Sequence, residues 1–189
     1  MERRRVFGRF IRTLDERRQV FIDESFCKTG MRREYGWGPR GQRVVGTRPC
    51  RNWKTISIIG AIRLGKKPKL MTQLGSVNGR DYLRFVRHRL VFWLRPGDVV
   101  VMDNLNMRKM TAVKEALAAA GAVAIYLPTY SPELNPIELL WADLKRDLRH
   151  LAINEEPPLR AAVRRLRTRV PQSKIEGWFR NAQRHALIN

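Results

Sequence analysis

Two short apolar runs, each ending on an aspartate, constrain this chain more than any other feature. Val20-Phe21-Ile22 leads into Asp23-Glu24, and Val99-Val100-Val101-Met102 leads into Asp103. Runs this apolar and this short read as buried strands, and a buried strand that delivers a carboxylate is a device for placing charge at the edge of a core. Thr55–Ile62 and the stretch from Leu70 to Val77 add two further strands around the turn Gly65-Lys66-Lys67-Pro68, so the first three strands predict an antiparallel meander.

Helical periodicity fills the intervals. Asp81 to Leu94 carries Leu83, Val86 and Leu90 on one side, and Pro96-Gly97 breaks it before the second acid-ended strand. Met107 to Ala120 is alanine-rich and stopped by Gly121, and Ala122 to Leu127 follows as a strand. A strand, a helix and a strand in succession predict a parallel pair. Pro128 to Pro136 reads as an irregular loop. Ile137 to Leu151 then reads as an amphipathic helix with Ile137, Trp141, Leu144, Leu148 and Leu151 on one stripe.

Two more helices flank Pro171. The first sets Leu159, Val163, Leu166 and Val170 opposite Arg160, Arg164 and Arg167, and the second groups Ile175, Trp178, Phe179 and Ala182. Before Val20 the chain is charge-dense, with no apolar stripe wide enough to pack, so a basic arm or frayed helix is expected there. The expected division is an arm or linker over 1–19, a core over 20–150 and a C-terminal helical extension over 151–189.

Composition narrows the function. A chain of 189 residues with 43% hydrophobic content supports one sizeable core, which excludes a disordered basic tail. The net charge is +21, carried by 29 Arg and only 9 Lys. So large a surplus of one sign repels itself and suits a polyanionic partner, with nucleic acid first and an anionic membrane surface second. The longest apolar run, Ala116 to Leu127, falls short of the roughly 20 residues of a spanning helix. Arg9 and Arg12 interrupt any signal-peptide core after Arg3 to Arg5, and Cys27 and Cys50 have no paired ligand spacing, so a reducing cytoplasm is expected.

Gly36-Trp37-Gly38-Pro39-Arg40-Gly41 matches the dinucleotide pattern literally, but Pro39 lies inside it and no helix opens after Gly41. There is no lysine-bearing phosphate loop, and His88, His150 and His185 are isolated, which leaves zinc little support. Three acids carry more: Asp23, Asp103 and Glu138. Singly, Asp23 reads as a strand-end residue, Asp103 as an Asx turn or cap, and Asn135-Pro136-Ile137-Glu138 as a capping box. Jointly, two acids ending strands and one opening a helix can converge above a sheet edge and share two divalent cations, Mg²⁺ or Mn²⁺. The basic residues expected to hold phosphates are Arg40, Arg43, Arg80, Arg84, Arg87, Arg108 and Lys109. A solvated charged face is the alternative reading of Arg80, Arg84 and Arg87.

The segments Phe21-Ile22-Asp23-Glu24-Ser25, Tyr35-Gly36-Trp37-Gly38-Pro39-Arg40-Gly41, Val101-Met102-Asp103-Asn104 and Leu127-Pro128-Thr129-Tyr130-Ser131-Pro132-Glu133-Leu134-Asn135-Pro136-Ile137-Glu138 carry a resemblance. The chain resembles, from about Val20 to His150, the catalytic domain of bacterial insertion-sequence transposases of the insertion-sequence 630 type, within the mariner-type DDE superfamily. The 34 residues between Asp103 and Glu138 agree with that branch.

The resemblance implies an α/β, ribonuclease-H-like fold, a mixed five-stranded sheet flanked by helices. It implies that Asp23, Asp103 and Glu138 hold two Mg²⁺ or Mn²⁺ ions. Water would cut double-stranded DNA at transposon ends, and the released 3′-hydroxyl would attack target DNA, commonly at TA, with the protein acting as a homodimer. Related sequences often carry His shortly after the second Asp, where this chain reads Asn106-Met107-Arg108-Lys109. They also carry N-terminal helix-turn-helix domains, for which the stretch before Val20 is too short, so the expectation is a catalytic half that works with an upstream helix-turn-helix half. A non-catalytic DNA-binding protein, an inactive remnant and a nuclease of the same fold are the other readings.

Overall fold

Strand β1 (Gln19–Lys28) is the axis of the molecule. In the computed structural model, which describes residues 2–33, 35–46, 53–103 and 110–188, it lies at the centre of a five-stranded sheet of order β3-β2-β1-β4-β5. Here β2 is Thr55–Ile62, β3 Lys69–Leu74, β4 Val99–Met102 and β5 Val123–Tyr126. β1 pairs antiparallel with β2, from Phe21 opposite Ile62 to Lys28 opposite Thr55, and β2 pairs antiparallel with β3, which is the meander expected. On its other side β1 pairs in parallel with β4, Gln19 beside Val99 and Ile22 beside Met102, and β4 pairs in parallel with β5.

Because side chains alternate across a strand, each strand feeds two cores. Val20, Ile22, Ile59, Ala61, Val100 and Met102 pack under α2 (Gly79–Phe85) and α3 (Thr111–Ala119). Phe21, Ile56, Ile58, Ile62 and Val101 face the opposite layer, built from α1 (Glu2–Thr13), α4 (Ile137–Leu151), α5 (Glu156–Arg169) and α6 (Gln172–Ile188). A mixed five-stranded sheet flanked by helices, with a helical C-terminus, is the architecture the sequence led to. Among the described residues no helix is long and apolar enough to cross a membrane.

Three local expectations change. The segment before Val20 is not a loose arm: α1 buries Phe7, Gly8 and Ile11, and Gly8 lies so close to α6 that a Cβ there would sit 2.6 Å from the Ala186 carbonyl oxygen. Two apolar side chains and a glycine suffice because the contact is backbone against backbone. β1 does not stop at Asp23 but runs five residues further, since β2 continues to pair with it after β4 has ended. Past Phe85 the second helix loosens into a wide turn over Val86–Leu90 and tightens over Val91–Trp93, instead of holding one regular helix to Leu94.

A buried ion pair lies at the opposite end of the parallel strands. Arg63 grips Asp98 with both guanidinium ends at 2.6 and 3.2 Å, and its remaining donors reach the carbonyls of Trp93 and Arg17. The Arg95 amide donates to the same carboxylate at 2.8 Å. A buried pair requires this degree of hydrogen-bond saturation to offset the loss of hydration.

Candidate active site

Strand parity decides which way the first two acids point. Asp23 shares the face of Phe21, and Asp103, directly after β4, continues the face of Val101, so both are directed to the layer that contains α4. The parallel register that sets Ile22 beside Met102 carries Asp23 alongside Asp103. After β5 the chain returns over these strand ends, and α4 opens with Glu138 in its first turn. The result is one cavity of about 380 Å³ lined by Asp23, Asp103 and Glu138 together with the 127–132 loop and Asn135. Three acids remote in sequence thus meet on one cavity wall.

They are not equivalent there. Asp23 is buried, Asp103 half-buried and Glu138 exposed. Asp23 is held by two donors, Trp141 Nε1 and Asn135 Nδ2, each 3.3 Å from its Oδ2, which fixes the rotation of the carboxylate. Trp141 reaches it because the residue opposite Asp23 on β2 is Gly60, where a Cβ would lie 2.4 Å from the indole Cη2. The absent side chain on β2 is the space the indole occupies.

Asn135 corrects the expected capping box. Pro136 occupies the cap position without a side-chain bond, Asn135 spends its amide nitrogen on Asp23, and its Oδ1 has no hydrogen-bond partner among the described residues. Sequence reading missed Asn135 and Trp141 as site residues, although both lie within or one turn beyond the quoted proline-rich segment.

The 127–132 loop is held from outside the sheet. Arg4 of α1 donates to the Tyr130 carbonyl and pairs with Glu133 at 3.4 Å. Tyr130 has φ +56° and is almost fully exposed. Nearby, burial raises the Tyr126 phenol. On the far half of β1, burial pushes the Cys27 thiol up to about 11 against an opposing effect of Lys145. Cys27 is a buried free thiol, and Cys50 lies outside the described residues.

Among the described residues no three His, Cys, Asp or Glu side chains stand close enough together to hold a metal ion as placed. The donor chemistry of the cavity nevertheless fits one kind of ion. Its candidate ligands are carboxylates and an amide carbonyl, hard oxygens that suit Mg²⁺ or Mn²⁺, and the described residues of the wall include no thiolate or imidazole to favour zinc.

The basic residues expected to meet DNA are distributed differently. Arg40 and Arg43 are exposed on the segment between β1 and β2, and Arg80 and Arg87 are exposed on and after α2. Arg84 is exposed but tied to Gln73 at 2.9 Å and Asp81 at 3.1 Å. Arg108 and Lys109 lie outside the described residues, as do Asn104 and Asn106. None of the five described arginines lines the cavity.

Residues 18–159 match the profile of a family described as DDE superfamily endonuclease. The fold is similar to solved structures of the Mos1 transposase. Against the Mos1 strand transfer complex the TM-score is 0.77 at 16% identity, over 99% of this chain and 59% of the other. Against the Mos1 mariner paired end complex with Mn it is 0.71 at 17% identity, over 98% and 60%. Against the Mos1 catalytic domain it is 0.64 at 15% identity, over 98% and 89%. Identities this low carry the fold, which is the ribonuclease-H-like arrangement expected. The chain spans about 59% of the length of the first structure it matches. No curated protein matches it.

Proposed function

Because the chain belongs to the family of DDE superfamily endonucleases, we propose that it is the catalytic part of a transposase of the mariner-type, insertion-sequence 630 kind. It would cut double-stranded DNA at transposon ends and join the freed 3′-hydroxyl to target DNA, commonly at TA. The observation that carries this reading is the convergence of Asp23, Asp103 and Glu138 on one cavity at the carboxyl ends of two parallel strands.

Asp23, Asp103 and Glu138 would hold two Mg²⁺ or Mn²⁺ ions, which when bound activate an attacking oxygen and stabilise a leaving one in phosphodiester displacement. The protein's own part is positional. Trp141 and Asn135 hold the Asp23 carboxylate in one rotation, β1 and β4 set Asp103 beside it, and the first turn of α4 brings Glu138 over the cavity. Exposed arginines, Arg40, Arg43, Arg80 and Arg87 among them, would hold phosphates without reading bases. End recognition would come from an upstream helix-turn-helix half, and paired ends would require a homodimer on DNA.

One observation favours a second reading. As placed, the three carboxylates do not close on a single point, which suits a DNA-binding remnant without chemistry. Supercoiled plasmid incubated with Mn²⁺ separates the two: the unmodified chain nicks it and Asp103→Asn does not. Equal nicking by both, or none by either, contradicts the assignment.

A further inference from the structure

Neither packing nor the acids account for Tyr130. The residue is 87% exposed and lines the cavity, yet its backbone sits at φ +56°, a region bulky residues rarely enter. Such a conformation costs free energy and persists only where the surroundings over-determine it. Here they do. Pro128 and Pro132 stiffen both flanks, Ser131 beside it is buried, and Arg4 of α1 binds the Tyr130 carbonyl while pairing with Glu133. The loop spends strain to hold an aromatic ring in solvent beside three acids.

We propose that the Tyr130 ring stacks on the nucleobase next to the phosphate being cut, with Arg4 as the positioning residue that holds the ring in place. This rests on the reading of the cavity as a DNA-cutting site. A phosphodiester drawn to the acids leaves its neighbouring nucleotide at the rim, and of that nucleotide's parts only the base offers a flat face to an exposed ring. The surroundings suit a base that has left its stack. Leu127, Pro128 and Thr129, on the wall of the acidic cavity, also line a largely apolar groove of about 580 Å³ between α1 and β5, to which α1 contributes Val6, Phe7 and Phe10 and, at its start, the charged Glu2 and Arg3.

The probe is a short duplex whose cut position has been mapped with the unmodified chain, carrying 2-aminopurine at the nucleotide flanking the cut. Ca²⁺ replaces Mn²⁺ in the binding measurement so that the strand stays whole. 2-Aminopurine is dim while stacked in the free duplex; it stays dim when the unmodified chain binds, because the extruded base stacks on the Tyr130 ring, and brightens with Tyr130→Asn, which tolerates the left-handed backbone but removes the ring. In Mn²⁺, Tyr130→Asn raises KM for cutting roughly ten-fold with little change in kcat, as loss of one stacked base would. Tyr130→Phe restores both signals, and Arg4→Gln loses part of the quench with the ring intact. If Tyr130→Asn leaves the probe dim and cuts like the unmodified chain, or lowers kcat at unchanged KM, the stacking role is overturned while the cutting site stands. If the unmodified chain cuts nothing, the parent reading falls and this one with it.

Discussion

At the scale of single residues, the site depends on a side chain that is not there. Gly60 leaves room for Trp141, and Trp141 with Asn135 fixes Asp23. Gly60→Ala places a methyl group against a buried indole that cannot swing away, so it is expected to cost roughly 1–3 kcal/mol of stability. It should also displace the Trp141 N–H from Asp23. Urea denaturation reads the first effect, and the position of the Trp141 indole N–H resonance reads the second; an unmoved resonance would mean the glycine is incidental. The sequence shows Asp23 as an acid on an apolar strand and Trp141 as a member of a helical stripe. It does not show that they bond, because they are 118 positions apart and Gly60 looks like any strand glycine. Asn135 misleads for the opposite reason: its local pattern is a good helix start, and the tertiary contact to Asp23 outweighs it.

At the scale of elements, legibility follows the width of the apolar face. α4 is visible in its bounds, from Ile137 to Leu151, since four of the five expected stripe residues, Ile137, Trp141, Leu144 and Leu148, are buried; Leu140 is buried as well, whereas Leu151 at the end of the helix is exposed. α1 is nearly invisible, because arginines at 3, 4, 5, 9 and 12 swamp a packing face made of Phe7, Gly8 and Ile11. Tertiary contact, not propensity, holds such a helix. Gly8→Ala would set a Cβ 2.6 Å from the Ala186 carbonyl oxygen, forcing α1 off α6. The expected loss is about 1–3 kcal/mol in urea denaturation, together with weaker hydrogen-exchange protection of the 127–132 loop, which Arg4 would no longer hold. Full protection of that loop in the variant would show that α1 is decoration. The order of strands and helices from β1 to α4 is legible because β2 and β4 are short runs rich in β-branched residues and because glycine or proline marks the turns at Gly65-Lys66-Lys67-Pro68, Pro96-Gly97 and Gly121. The length of β1 beyond Asp23 is not, since it depends on which neighbour continues to pair.

For the whole molecule, a net charge of +21 is compatible with folding because, among the described residues, the basic charge stays outside two well-filled apolar layers except at the buried Arg63, which is matched by Asp98. The parity of β1 and β4, the crossover through α3 and the return of the 127–132 loop then bring distant acids to one cavity. The pattern of acids and proline-rich loop marks Asp23, Asp103 and Glu138 as candidates for one site, whereas Tyr130, Arg4 and the bonds around Asp23 emerge only from the folded arrangement. The claim on which the account rests is that Asp23, Asp103 and Glu138 are ligands to divalent ions. The most direct test is anomalous diffraction at the manganese edge from crystals grown with Mn²⁺ and a duplex DNA end. The account predicts density between the three carboxylates, with Asp23 and Asp103 on one ion and Glu138 completing the set. Manganese bound elsewhere, with the three side chains turned from one another in the DNA complex, would contradict it.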